Sequence, residues 1–512
     1  MSEKKILETL EKNPAGLSIS EIAEQSKLHR NTVTTVIKKL QENRKVEFKK
    51  LGLAKVYYLK KYSGLHRSEG GYKGKNISVG IGISDLQNGY QAAISAAKQA
   101  AMQSSKGKKP SFSLVFVSSK YNPKIKEVVK GINIILGNNW IGCTTDKELN
   151  SIIGYSEGTI EVLCIDTKYM HFGIGISEDY RKNPAEEAKK ATMKAIENCP
   201  AERSRFATAQ FMRGTKKGFA EIVRNPPYFV LTFIGGSYFI NRKLVPGAEV
   251  EFLDGIKDYI GLYIPILGGS AASNFEGILN YKGENYVFAN GKYYKDGAVV
   301  CFVVSELYFS HSLEHGYIPI DKYGVITKVS GNGRIIEEIN NNSAIDEYCR
   351  LIGINKKEFI KNPFQYTTAN PICILNQLGN ISPKVTLPLT PKPSETKLAS
   401  SERFLLNTSF VIGQYNEKKT VEATKAAIEE AYKEHEDKNI VLALNFNCAV
   451  RRFLLKEKIE EEILNAKKIL SPNSLLFGFS TFGEIGAKRN QPSSYNNITS
   501  TVLLIFDKLQ IE

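Results

Sequence analysis

The chain of 512 residues is 42% hydrophobic and 24% charged, too long for one core and apolar enough for several, so about three or four domains are expected. Its formal charge of +16 favours a polyanionic partner. No apolar run approaches the roughly 20 residues of a membrane-spanning helix, and the seven scattered cysteines (Cys143, Cys164, Cys199, Cys301, Cys349, Cys373, Cys448) form no C-x-x-C pair; a cytoplasmic protein with reduced thiols, no structural metal and no membrane partner is expected.

Basic charge concentrates at the start, where residues 1–61 carry 14 Lys and Arg against 7 Glu. Ile6, Leu7 and Leu10 mark a first amphipathic helix that ends near Asn13 and Pro14. After a turn at Gly16, Ser18-Ile19-Ser20-Glu21 has the form of a capping box, in which Ser18 accepts an orphan amide of the next helix and Glu21 reaches back to the cap. Ile22, Ala23 and Leu28 supply that helix's apolar face. A turn around Lys27 leads to a third helix from about Arg30 to Gln41, with Val33, Ile37 and Leu40 inward. Arg30, Asn31, Thr32, Thr34, Thr35 and Lys38 are left near or on its outer surface, a short polar and basic face suited to base edges and phosphates in a major groove. Two β-like runs, Lys45 to Leu51 and Ala54 to Leu59, joined at Gly52, read as a hairpin with Lys49, Lys50 and Lys55 at or near its tip, where phosphates would be met.

The order helix, helix, helix, wing resembles the winged helix-turn-helix domains of bacterial and archaeal transcription regulators. Double-stranded DNA is the partner this implies, bound by a homodimer on two half-sites. A winged helix used only for protein contacts is the alternative, against which the wing lysines argue. Residues 62–76, with glycines and no periodicity, are expected to be a flexible linker.

The remainder is expected to be a large α/β sensor body made of three related β-α-β-α-β units. "SVGIGISD" at Ser78 to Asp85 recurs as "HFGIGISE" at His171 to Glu178. Each is followed by a helix (Tyr90 to Gln103; Pro184 to Asn198), a buried-looking strand from Phe112 or Tyr228, a second helix (Lys124 to Ile135; Glu249 to Ile260) and an apolar strand from Trp140 or Ile264. The third copy reads more loosely as a strand from Arg403, a helix from Val421 to Glu434, a strand from Asn439, a helix from Lys456 to Ile469 and a strand from Leu475. The domains expected are thus 1–61, a linker 62–76, a sensor region 77–308 holding two units and another, 309–512, holding the third. Ser382 to Ser401 reads as an extended loop.

The turns after the last strand of each unit are the candidate chemistry. They are Gly142-Cys143-Thr144-Thr145 with Glu148, Gly268-Gly269-Ser270-Ala271 with Asn274, and Gly478-Phe479-Ser480-Thr481 with Gly483 and Glu484. Glycine lets a ligand approach the backbone, small hydroxyls adapt their hydrogen bonds, and ligands of α/β sheets favour the carboxyl ends of strands. The other reading is three tight corners packed against one another.

These turns, with "HGYIPI" at His315 to Ile320, "NFNCAVR" at Asn445 to Arg451 and "GFSTFGEIG" at Gly478 to Gly486, resemble successive landmarks of the FIST domain, in its N-terminal and C-terminal parts. The resemblance spans about Ser111 to Phe506. It implies an intracellular sensory domain of prokaryotic signalling proteins that binds small ligands such as amino acids. It points to Cys143, Thr144, Glu148, Gly268, Gly269, Cys448, Arg451, Gly483 and Glu484 without assigning their roles. Lys147 stands where the family commonly has a glycine.

Chemically, Arg451 and Glu484 would clamp a zwitterion, a guanidinium for the carboxylate and a carboxylate for the ammonium. Arg451 and Arg452 read equally well as one buried and one solvated cation in structural ion pairs. Enzyme readings are weaker. His311-Ser312-Leu313-Glu314-His315 has the H-x-x-E-H spacing of some zinc peptidases but follows a strand-like run; a hydrolase-like body with Cys448 or Thr144 as nucleophile is the alternative to a sensor, although no His lies near Cys448 in the sequence. No nucleotide fingerprint is present. The expectation is a ligand-responsive regulator with no catalytic residues, metal or cofactor.

Overall fold

A computed structural model of the chain describes residues 2–11, 13, 16–51, 54–60, 70–240, 243–274, 283–375, 379–390 and 392–511. The N-terminal module comprises α1 (Ser2–Glu11), α2 (Ile19–Ser26), α3 (Arg30–Glu42), β1 (Val46–Leu51) and β2 (Ala54–Leu59). The capping box closes as its spacing predicts: the Glu21 amide donates to Ser18 Oγ (3.3 Å) and the Ser18 amide to Glu21 Oε2 (2.6 Å). Lys27 ends α2 in the left-handed region (φ 55°), and Ile6, Leu10, Ile22, Val33, Ile37 and Leu40 are buried together. β1 and β2 pair antiparallel, and Leu17 bridges Tyr57 as a third rung. Pro14 and Gly52 lie outside the described residues, as do 61–69 of the expected linker. Within the rest of that linker, β3 (Gly71–Lys73) pairs with the first strand of the body, and Asp507 accepts the amides of Lys75 and Asn76 at 2.9 Å.

The body repeats one sheet three times. The first unit is β4 (Ser78–Ser84), α4 (Gly89–Ser105), β5 (Phe112–Ser118), α5 (Ile125–Leu136) and β6 (Trp140–Thr145), then a hairpin of β7 (Glu148–Asn150) and β8 (Gly154–Ser156), and β9 (Ile160–Asp166). The second is β10 (Met170–Ser177), α6 (Pro184–Glu197), an excursion of α7 (Arg203–Lys217) and α8 (Ala220–Arg224), β11 (Tyr228–Ile234), a small hairpin of β12 (Tyr238–Ile240) and β13 (Lys243–Val245), α9 (Glu249–Ile260), β14 (Ile266–Ser270), a hairpin of β15 (Val287–Ala289) and β16 (Lys292–Tyr294), and β17 (Ala298–Ser305).

The third unit begins at β18 (Leu307–Glu314), not at the strand from Arg403. Between β18 and its first helix lies an inserted lobe with its own core: β19 (Tyr317–Ser330), β20 (Ile335–Ile339), β21 (Asn342–Ser343), α10 (Ala344–Ile352), α11 (Lys356–Lys361), α12 (Pro363–Ala369), β22 (Ile372–Leu375), β23 (Ile381–Lys384), β24 (Leu387–Pro388), β25 (Leu398–Ala399) and β26 (Ser409–Tyr415). The strand expected to open the unit is β26, which pairs with β19 and β22 inside this lobe. The segment expected to be a loop, Ser382 to Ser401, contributes three short strands to it. The unit resumes with α13 (Glu417–Tyr432), β27 (Ile440–Cys448), α14 (Ala449–Leu455), α15 (Ile459–Lys467) and β28 (Leu475–Thr481), then a hairpin of β29 (Glu484–Gly486) and β30 (Ser494–Asn496), and β31 (Ser500–Leu509).

The three sheets run β6-β5-β9-β4, β14-β11-β17-β10 and β28-β27-β31-β18, the same order of third, second, fourth and first strand. The second and third strands are parallel, and the fourth lies antiparallel between the second and first. The central strands are buried on both faces, so they read as continuous apolar runs. Phe112, Leu114 and Phe116 of β5 face the common core of all three sheets, while Val115 and Val117 face α4 and α5. Phe116, Phe233 and Phe446 hold the same register position in their sheets and meet there, with ring centroids 5.6 Å apart for the first pair and 6.0 Å for the second. The apolar core of the winged helix runs into the outer cluster of α13, α15 and the third sheet.

The hairpins are exchanged in a closed cycle. The third strand of each sheet is an edge until a hairpin from another unit covers it: β15 of the second unit pairs with β6, β29 of the third with β14, and β7 of the first with β28. One glycine sits at each crossing. A Cβ on Gly142, Gly268 or Gly478 would lie 1.8, 1.9 or 1.7 Å from a carbonyl oxygen of the neighbouring strand. Close backbone approach is what these glycines provide.

Candidate functional site

Two surfaces were expected. On α3, Arg30, Asn31, Thr32, Thr35 and Lys38 are exposed and Thr34 is half-exposed. Thr34 and Thr35 donate to the carbonyls of Arg30 (2.9 Å) and Asn31 (3.0 Å), which turns their methyl groups outward. His29, not singled out in the sequence, caps the helix by accepting the Asn31 amide at Nδ1 (3.3 Å). On the wing, Lys55 is exposed, with Nζ 4.4 Å from the centroid of the Phe48 ring. Lys50 faces Lys55 in backbone register; the side chains of Lys49 and Lys50 lie outside the described residues. A narrow polar helix face beside a basic hairpin is the geometry that places a helix in a major groove and a wing on the phosphates.

The three turns of the body join in a ring at the carboxyl ends of the strands. The Thr144 amide donates to Tyr286 O (2.9 Å), the Ser270 amide to Gly483 O (3.0 Å) and the Ser480 amide to Lys147 O (2.8 Å). Further links close it: Ala272 N to Thr144 O (2.9 Å), and Thr481 Oγ1 to Ser270 O (3.0 Å). Cys143, Thr144, Thr145, Glu148, Gly268, Gly269, Ser270, Ser480, Gly483 and Glu484 are all buried in or beside this ring. Asn274 is exposed at its margin, its amide on Ser119 Oγ. The Thr144 hydroxyl is engaged with the Tyr286 amide (2.9 Å), and Ser270 Oγ donates to the buried Glu249 (3.1 Å).

Two carboxyls occupy the same place in the exchanged hairpins, Glu148 opposite Phe479 and Glu484 opposite Gly269. Burial pushes each up to about 8, so both are mainly protonated at neutral pH. Glu148 is held by Thr145 and, at 2.7 Å, by Thr159, with the buried Glu161 beside it. Glu484 Oε2 accepts from the Thr499 amide (3.0 Å) and hydroxyl (2.9 Å). Its Oε1 accepts no N–H or O–H group among the described residues, and the Cys448 thiol lies against the carboxyl. Burial and the Glu484 charge raise that thiol well above its ordinary range, so Cys448 is no thiolate.

Arg451 stands on α14, three residues beyond Cys448, and is fully buried. Its ion pair is with Glu462 (2.5 Å), not Glu484, and the same Nη2 donates to Thr420 O (2.8 Å). Nε and Nη1 have no partner among the described residues, nor does the buried Asn447 Oδ1. Arg452 is partly exposed and pairs with Asp146 (3.2 Å). Asn447 donates to the hydroxyl of Tyr155 (2.9 Å), a residue of the first unit's hairpin. Tyr155 and Tyr495 are equivalent in register. A Cβ on Gly483 would lie 2.0 Å from the Tyr495 hydroxyl. The first turn has Lys147 instead, paired with Glu157 at 2.9 Å, and Tyr155 reaches Asn447 of β27 in the third unit. The sequence did not single out Glu462, Asn447 or Tyr155: Tyr155 comes from the first unit, nearly three hundred residues away, and Glu462 reaches Arg451 only through the packing of α15 on α14.

His311 and His315 lie on and just beyond a strand, the first buried and pushed down to about 4, the second hydrogen-bonded to Ile381 O at 2.9 Å. No group of three or more potential metal ligands occurs among the described residues, and none of their helices is long and apolar enough to cross a membrane.

A winged helix joined to a body of three cyclically linked sheets defines a winged helix-turn-helix module carried on a large α/β body. The chain belongs to the FIST family: the FIST N domain matches residues 77–342, the FIST C domain 344–487, and a winged helix-turn-helix DNA-binding domain 2–47. This domain content fits a ligand-sensing regulator. No curated protein matches the chain. Among solved structures, a cyanuric acid hydrolase from A. caulinodans is 9% identical, covering 45% of this chain and 71% of its own, with a TM-score of 0.22. Phosphoribosylformylglycinamidine synthase II from Thermotoga maritima is 12% identical, covering 86% and 74%, with a TM-score of 0.19. Likenesses this slight carry no argument about this chain.

Proposed function

We propose that this protein is a one-component transcription regulator whose body binds a free amino acid beside the ring of turns and thereby alters the DNA affinity of the winged helix. The observation that carries the reading is the set of unfilled polar atoms around Cys448: two guanidinium nitrogens of Arg451, Oδ1 of Asn447 and Oε1 of Glu484. Buried polar atoms are seldom left without partners, and a zwitterion supplies the complements. Its carboxylate takes a single N–H of Arg451, from Nη1 or Nε, and its ammonium takes Glu484 and Asn447. Arg451 thus serves two carboxylates, Glu462 permanently and the ligand when present. The ammonium draws the protonated Glu484 into its ionised form. Binding at pH 7 therefore releases close to one proton.

The regulator is a homodimer on two half-sites, contacting DNA through Arg30, Asn31, Thr32, Thr34, Thr35 and Lys38 in the major groove and through Lys49, Lys50 and Lys55 on phosphates. Because the outer cluster of the third unit continues into the winged helix, a ligand that prefers one packing of α14 biases the output module. The boundary for a separable sensor falls before Gly70 rather than after residue 75, since β3 belongs to the first sheet.

Calorimetric titration of the full chain with the common amino acids tests this. Saturable binding of at least one, with an enthalpy that varies with buffer ionisation as one released proton requires, is the expected result. Absence of binding across the panel, or turnover of the bound compound, overturns the reading. For the output, Arg30→Ala with Lys38→Ala should weaken binding to selected genomic fragments and lower the salt slope by about two if both touch phosphates.

A further inference from the structure

A second cavity lies away from the ring, at the amino ends of the second sheet's strands. Asn225 and Pro226 precede β11 and Pro265 precedes β14, whereas the ring lies at the other ends of the same strands, roughly 20 Å away for a strand of this length. The cavity encloses about 300 Å³ and is closed on one side by Phe309 and His311 of β18 and on another by Arg489 and Gln491, in the loop that joins β29 to β30. The hairpin that presents Glu484 to the ring thus presents Arg489 to this cavity.

The lining has one sign. Arg489 anchors its Nη2 on Asn225 Oδ1 at 2.9 Å, and none of the described lining residues is acidic. Burial and the charge of Arg489 keep His311 neutral, and the same two causes act on His435, packed behind against Tyr308 and Phe506. Both nitrogens of that buried His435 ring have no hydrogen-bond partner among the described residues. The remaining walls are Phe309, Pro226, Pro265 and, at the mouth, the exposed Tyr263. A volume of about 300 Å³ stands at the small end of ligand pockets, too small for a nucleotide.

We propose that this cavity is a second small-molecule site, distinct from the amino acid site, that takes a flat apolar anion, an aromatic monocarboxylate, with the carboxylate on Arg489 and the ring between Phe309 and the two prolines. Its occupancy bears on the hairpin shared with the ring, so it acts on the sensor without competing for the zwitterion.

Benzoate is the probe. Titrated into the full chain it should bind saturably, and Arg489→Gln should weaken it about tenfold or more, the loss expected for one charge-assisted pair. Unchanged affinity in a folded Arg489→Gln protein, or no binding at millimolar benzoate, overturns the proposal. Crystals of the unaltered protein grown with 4-bromobenzoate give a readout independent of any variant. Anomalous bromine signal beside Phe309 supports the site; signal only elsewhere, or an adventitious additive only, overturns it. A failure here with amino acid binding intact leaves the ring reading standing, and the converse holds equally.

Discussion

Glu148 and Glu484 occupy one position in two copies of the same hairpin, yet their surroundings differ. Both are buried and both are pushed up to about 8. Around Glu148 both carboxyl oxygens accept threonine hydroxyls, and the buried acid Glu161 lies beside it. Around Glu484 one oxygen takes two Thr499 groups and the other takes no N–H or O–H group among the described residues, with the Cys448 thiol against the carboxyl and Arg451 near enough to act on its charge. The first carboxyl is hydrogen-bonded at both oxygens, while the third is hydrogen-bonded to N–H and O–H groups at one. Repetition of a fold thus preserves where a carboxyl sits without preserving what it is for, and hydrogen-bond accounting separates the two.

The largest effect should come from Arg451. Arg451→Ala strands Glu462 as an unpaired buried acid and should lower unfolding stability by about 3–5 kcal/mol in denaturant titration. The paired change Arg451→Met with Glu462→Leu should recover most of that loss while amino acid binding stays absent. Recovery of binding as well would mean the guanidinium is only structural. On the Glu148 side, Glu161→Gln removes a buried acid that is already held neutral and should leave stability equal or higher.

Next comes pH. Glu148, Glu460 and Glu484 keep their protons on folding but lose them on unfolding near 4.5, so the stability they lend is complete below that value and drains away as pH rises through about 8. Thermal melts should therefore fall between about pH 5 and 8 and level off above, with each such group contributing up to about 1.4 kcal/mol per pH unit. Glu148→Gln and Glu484→Gln should each flatten the fall to a similar degree, but only Glu484→Gln should abolish the proton release on ligand binding. Equal loss in both would erase the distinction between the two turns. The smallest effect is Tyr155→Phe, which frees Asn447 and should cost about 1 kcal/mol of ligand affinity. Tyr495→Phe, at the equivalent position, should leave affinity unchanged.

How much of this was legible depended on the range of the interactions. The winged helix could be read nearly residue by residue, because a capping box and i, i+3, i+4 spacings are written within a few positions of each other. The three units could be read as repeats of strand and helix, and α9 was placed to the residue. The opening strand of the third unit could not, since β26 carries the same apolar pattern before a helix as β18 does, and only pairing with β31, nearly two hundred residues on, tells them apart. The exchanged hairpins were invisible for the same reason: each has strands of three residues whose partners lie in another unit. Arg451 was flagged by its chemistry, but its ion-pair partner is set by how α14 packs on α15.

That exchange has a consequence for how the chain must be made. The hairpin Glu148–Ser156 pairs with β28, which starts at Leu475, so the first unit leaves the ribosome holding a strand whose partner does not yet exist. At ordinary elongation rates of about 5–20 residues per second, the wait is on the order of a quarter-minute to a minute. β6 stays an uncovered edge until β15 is made and β14 until β29 is, each open meanwhile to pairing with other nascent chains. The ring closes only when the last hundred residues arrive, so a truncated product should aggregate rather than form a smaller sensor, and the whole body should melt in one transition.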